Sequence, residues 1–208
     1  MIIHAIAQYV ANISRTIFHR KKVHARSLIY FIAALIPTMA VFSLFSFVPD
    51  KKTVLLLMGL APFGGFLLRN KLHFIFTLPA HAMFCGFVIT CFQLLAGTAG
   101  PWLDIFFQNL KITRHEVIAT KSAAMTISHF SKFIYFWFIV ANVSADVNEI
   151  EPWFWPLIAI LSVTGTHLSR FVLDRMTDQH FYKATQATLL AIGVFYLYQS
   201  FQLWMHTS

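Results

Sequence analysis

Lys121 and Lys132 stand eleven residues apart in a stretch that is otherwise mainly apolar. Eleven residues make about three turns of α-helix, so on one helix the two ammonium groups share a face. A base inside an apolar helix is costly to hold and faces a partner, a cavity or water. The chemistry this pair offers is anion binding. The competing reading is a long side chain that stretches to the membrane interface. Ser131 precedes Lys132, His129 lies three residues before it, and Ser14-Arg15 restates the Ser-base pair near the start of the chain. The hydroxyls suit donation to an anion or simple helix packing. His129 suits titration, donation to a substrate, or a satisfied place in a core.

A second set of residues surrounds the sequence "LLAGTAGPWLDIFF". Gly97, Gly100 and Pro101 are strong helix punctuation, and Thr98 is placed to cap the segment that follows. The start of such a segment has free N–H groups that favour negative charge. An ordinary loop with a Gly-Pro turn is the plainer alternative. Asp104 fits either proton coupling or the interface, and its surroundings favour the interface. His81 and His167 sit in apolar runs as core histidines would. Arg170 with Asp174, and Arg175 with Asp178, are spaced as helix-end ion pairs. The ten histidines are scattered and form no H-E-x-x-H arrangement, and Cys85 and Cys91 lack metal or redox spacing. These patterns predict no catalytic residue, no metal and no cofactor, and so not an enzyme.

The elements that position these groups follow from composition. Hydrophobic residues make up 58% of the 208 and charged ones 12%, about half the share of a water-soluble domain. Residues 27–48, 72–103, 153–169 and 184–208 carry no Asp, Glu, Lys or Arg. A helix needs about 20 apolar residues to cross the hydrocarbon of a bilayer. The runs are too long and too uniform for barrel strands. The expectation is an all-α, multi-pass integral membrane helical bundle in the cell (inner) membrane, with the lipid bilayer as its surroundings. Helical segments are expected at 1–18, 27–48, 53–69, 73–96, 116–142, 153–173 and 181–204. A broken or re-entrant stretch at 97–112 interrupts them. Trp102, Trp153, Trp155 and Trp204 fall near segment ends, as interfacial anchors do.

The net charge of +8 sits between the apolar runs, as in "HRKKVHAR" at 19–26. That pattern marks cytoplasmic loops and points away from nucleic acid. An internal repeat is visible. "ANISRTIFH" resembles "SHFSKFIYF", with Ser14-Arg15 on Ser131-Lys132 at an offset of 117 (131 − 14). Further on, Asp50 aligns with Asp178 at 128 (178 − 50). The loops after the two Ser-base segments have opposite charge, because "NVSADVNEIEP" at 142–152 holds only acids. Opposite bias at equivalent places suits inverted repeats, with parallel repeats as the alternative. The division expected is 1–69 as a partial first repeat of about three helices. Residues 70–208 form the second repeat, with a helix, the Gly-rich break and three further helices.

The stretch "GFVITCFQLLAGTAGPWLDIFFQNLKITRHEVIATKSAAMTISHFSKFIYF" resembles the second-half signature of the sulfite exporter TauE/SafE family. There a Gly-rich break leads into a short amphipathic segment and then an A-x-x-T-S-like helix start. Here that start is Ala119-Thr120-Lys121-Ser122, with Lys121 inserted. "GTHLSRFVLDRMTDQHFYKATQATLLAIGVFYLY" is similar to the family's last two helices. The resemblance implies a carrier of sulfite, organosulfonates or related small anions. The candidate substrate site comprises Gly97, Thr98, Gly100, Pro101, Thr120, Lys121 and Ser122 with His129, Ser131, Lys132, Ser14 and Arg15, and repeat symmetry is expected to bring Lys132 and Arg15 together near the Thr98–Pro101 turn. Family members carry a break in each half, and here "GTAGP" has no partner in the first half. A shortened half-carrier acting as a non-transporting membrane subunit is therefore the alternative function. A second copy of the chain is the remaining partner to consider.

Overall fold

The computed structural model describes residues 2–45, 47–68, 72–97, 99–107, 113–140, 151–175 and 178–205. All regular structure among them is helical, so the fold is all-α. The helices are α1 (Ile2–Phe18), α2 (Ala25–Phe45), α3 (Lys51–Leu68), α4 (Pro79–Leu95), α5 (Gly100–Phe107), α6 (Arg114–Ile134), α7 (Phe154–Arg175) and α8 (Asp178–Met205). A short 3-10 turn, Arg20–Lys22, links α1 to α2, and α6 runs on into a π turn at Tyr135–Ile139.

Local chemistry sets several of these ends. Asp50 caps α3: its carboxylate accepts from the Thr53 N–H at 3.0 Å and from the Thr53 hydroxyl. That moves the start of α3 ahead of the expected residue 53. At α6, Thr113 and Glu116 form a reciprocal capping box. The helix expected over 73–96 starts later, at Pro79. Leu78 is extended and Pro79 opens the first turn, because a proline cannot continue a helix from behind and biases its predecessor away from helical angles. The bypassed segment pairs elsewhere. The Phe76 N–H donates to the Phe106 carbonyl at 3.1 Å, and the Ile75 N–H donates to His81 Nδ1 at 3.0 Å.

Helices pack as pairs. α1 lies along α6, α2 along α4 and α3 along α8, while α7 rests on α1 and α5 on α3. α1 and α6 run antiparallel. His4 meets Lys132 near one end, Thr16 meets Thr126 further along, and His19 faces His115 at the other. α2 and α4 touch backbone to backbone at Gly86, where a Cβ would strike the Phe31 carbonyl. Tyr135, fully buried in the π turn, donates its hydroxyl to the Phe47 carbonyl at 2.7 Å and so ties the end of α6 to the end of α2.

Among the described residues α2 and α3 are long and apolar enough to cross a membrane, and Pro79–Leu95 and Phe154–Leu168 are shorter apolar helices. Large apolar side chains stand on the outside as well as in the apolar core, and a few polar groups are buried. Leu44 and Phe45 are 81% and 75% exposed, whereas Lys132, His129 and Gln93 are buried. Trp153 and Trp204 stand on the outside, but Trp102 does not act as an anchor. It stacks on Phe92 with centroids 4.4 Å apart and its indole N–H is buried.

Candidate functional site

α4 ends at Leu95 and the chain turns at Gly97, whose φ of 71° lies in the left-handed region where a side chain is disfavoured. The Gly97 N–H still closes the helix on the Gln93 carbonyl at 3.1 Å. Its own carbonyl is thereby freed, and Lys132 Nζ donates to it at 3.1 Å. α5 begins three residues later at Gly100.

Lys132 reaches this turn from α6 and is 0% exposed. Its Nζ also donates to His4 Nδ1 on α1 at 3.2 Å. One turn earlier on α6, His129 Nδ1 sits 2.6 Å from Gln93 Nε2. With the amide nitrogen, a donor only, facing it, His129 Nδ1 accepts and the ring proton lies on Nε2. The His4 ring stands edge-on to His129 with centroids 5.6 Å apart. His4 itself is exposed, so the cluster runs from the surface of α1 to the buried ammonium. Among the described residues no carboxylate pairs with Lys132, and its hydrogen-bond partners are both neutral groups.

The candidate residues divide between two levels of α6. His129, Lys132 and Gly97 come together. Lys121 lies about three turns away and makes an ion pair with Asp104 of α5, both half-exposed. Asp104 is thus a partner for a base rather than a bare interfacial acid. Thr120 accepts the His24 N–H at 3.0 Å and fastens the basic loop, and Ser122 is buried beside it. Ser14 and Ser131 donate to the carbonyls of Val10 and Ile127 in their own helices, which leaves their hydroxyls occupied in packing. Gly100 and Pro101 open α5, and among the described residues no atom lies within 4 Å of a would-be Cβ at Gly100. Thr98 lies outside the described residues.

Arg15 was expected to meet Lys132 across α1 and α6. The antiparallel packing prevents this, because it sets His4 against Lys132. Arg15 is eleven residues further along α1, roughly 16 Å of helix rise. His4 and Gln93 also join this cluster and were not among the residues singled out from the sequence. Signals for both existed. Gln93 is one turn before Gly97 in a long uncharged run, and the 117-residue offset sets His4 on Lys121 (4 + 117).

No group of three or more His, Cys, Asp or Glu among the described residues is arranged to hold a metal ion. Comparison with known proteins gives one positive result: the model of the family described as sulfite exporter TauE/SafE matches residues 1–196. None of the curated proteins and none of the solved structures matches the chain. Members of the matched family are transporters of small anions and not enzymes. With nearly its whole length covered by that match, the chain belongs to the sulfite exporter TauE/SafE family.

Proposed function

We propose that the chain is a multi-pass inner-membrane transporter for small sulfur-containing anions such as sulfite or organosulfonates, and that Lys132 beneath the Gly97 turn binds the anion. The observation that carries this reading is the complete burial of Lys132 without a carboxylate partner among the described residues. Holding an uncompensated ammonium away from water costs on the order of several kcal/mol. A negative ligand at Nζ offsets that cost, and two neutral acceptors do so only in part. The left-handed turn that interrupts α4 and α5 adds a backbone break of the type transporters use at substrate sites.

The many exposed large apolar side chains support immersion in lipid. The antiparallel packing of α1 and α6, the two Ser-base helices, supports inverted repeats, with the 19–26 loop facing the cytoplasm.

The test is flux of sulfite, thiosulfate and organosulfonates across proteoliposomes containing the full chain. Wild type moves at least one of these anions, Lys132→Ala stops it, and Lys132→Arg retains partial activity because it keeps the charge but alters the geometry. Undiminished flux in a correctly inserted Lys132→Ala protein removes Lys132 from the site. Binding without flux in the wild type assigns the chain instead to a non-transporting subunit.

A further inference from the structure

We propose that the site selects anions that also carry a hydrogen-bond donor, an O–H on the oxyanion or on its organic tail, and that Gln93 Oε1 is the atom that recognises it. The proposal rests on the anion-binding reading above and adds the other half of the ligand.

Gln93 is 1% exposed, on the last turns of α4. Its Nε2 is engaged by His129 Nδ1 and its backbone carbonyl by the Gly97 N–H. Its Oε1 is buried and has no hydrogen-bond partner among the described residues. Buried carbonyls are almost always paired, and leaving one unpaired costs about as much as losing a hydrogen bond. With Nε2 turned to His129, Oε1 is the end of the amide left without a partner.

Lys132 follows His129 by one turn on the same face of α6. Its ammonium has three N–H groups, and Gly97 and His4 use two. One cationic donor therefore remains in the same cluster as one unpaired neutral acceptor, the two residues being joined through His129 and the Gly97 turn. The complementary ligand has a charged oxygen for Lys132 and a proton for Gln93. An anion with acceptors alone satisfies the first and sets a lone pair against the second. Sites built to pair with a substrate hydroxyl discriminate strongly against analogues that lack it, because their own polar group is then stranded.

Two matched pairs of probes test this on the purified full chain in lipid nanodiscs by calorimetry. Ethanesulfonate and 2-hydroxyethanesulfonate differ by a hydroxyl on the tail. Methanesulfonate and methylphosphonate, compared at mildly acidic pH where both are monoanions, differ by an O–H on the oxyanion itself. In one pair or both, the donor-bearing member should bind about tenfold more tightly. The pair that shows the preference locates the donor. Gln93→Met should reduce the ratio to about one, and Lys132→Ala should lose both members. Only folded protein contributes to an affinity ratio, so partial misfolding of Gln93→Met leaves the reading intact. Equal affinities within both pairs in the wild type overturn the role of Gln93. If Lys132→Ala then still loses both members, the anion site stands without it. If no member of either pair binds, the anion-site reading falls and this inference falls with it.

Discussion

Lys132 Nζ donates to the Gly97 carbonyl at 3.1 Å, so a buried cation on α6 fastens the left-handed turn between α4 and α5. One contact serves two purposes. It satisfies a carbonyl that the end of α4 leaves unpaired, and it brings the ammonium to the turn where the helical backbone stops between α4 and α5.

Stability and function should separate at this residue. Replacing a buried ion by an apolar side chain of similar volume is often neutral or stabilising by about 1–4 kcal/mol. Against this, Lys132→Met leaves the Gly97 carbonyl unpaired, at about 1–3 kcal/mol. The thermal midpoint of Lys132→Met in detergent should stay close to that of the parent, while anion binding by calorimetry is lost. A stable Lys132→Met protein that binds normally contradicts the assignment.

The two glycines of the break should respond differently. Gly97→Ala forces a Cβ into left-handed backbone and should cost about 1–2 kcal/mol, with loss of flux as the carbonyl shifts. Gly100→Ala meets open space at the start of α5 and should be neutral or stabilising by about 0.5 kcal/mol. Thermal melts together with flux assays decide the matter, and equal damage at both positions would mean that the turn is not the sensitive element.

The Lys121–Asp104 pair should prove peripheral. Both side chains are partly exposed, so a double-mutant cycle on Lys121→Ala and Asp104→Ala should give a coupling of about 1 kcal/mol or less. Anion affinity should stay within about threefold of wild type in each variant. Loss of binding in Lys121→Ala alone would return that residue to the substrate site.

Acid should loosen α3 at its cap. The hydrogen bonds from Thr53 hold the Asp50 carboxyl below its ordinary range. Folding therefore favours the ionised form, and its stabilising effect is present above the ordinary carboxylate pKa and disappears as pH falls through the lower folded value. Asp50→Ala should lower the thermal midpoint at neutral pH and flatten its decline on acidification. An unchanged acid profile in Asp50→Ala would leave the cap without a role in stability.

Much of the architecture was legible in the chain because it depends on neighbours in sequence. Uncharged runs predict helices, Gly97 with Pro101 predicts the interruption, and the mainly apolar stretch around Lys132 marks an unusual base. Some local rules were misjudged: Pro79 delays α4, and Asp50 advances α3. The composition of the site was harder to read, since His4, Gln93 and Lys132 come from three helices far apart in sequence. Repeat spacing pairs Lys132 with Arg15 as equivalents, yet equivalent residues on two antiparallel helices face each other only near the midpoint of the pair. Away from that point the direction of packing chooses the partner, and here it chose His4. Helix direction and close approaches such as Gly86 on Phe31 set which polar groups meet, and no spacing along a single segment encodes them.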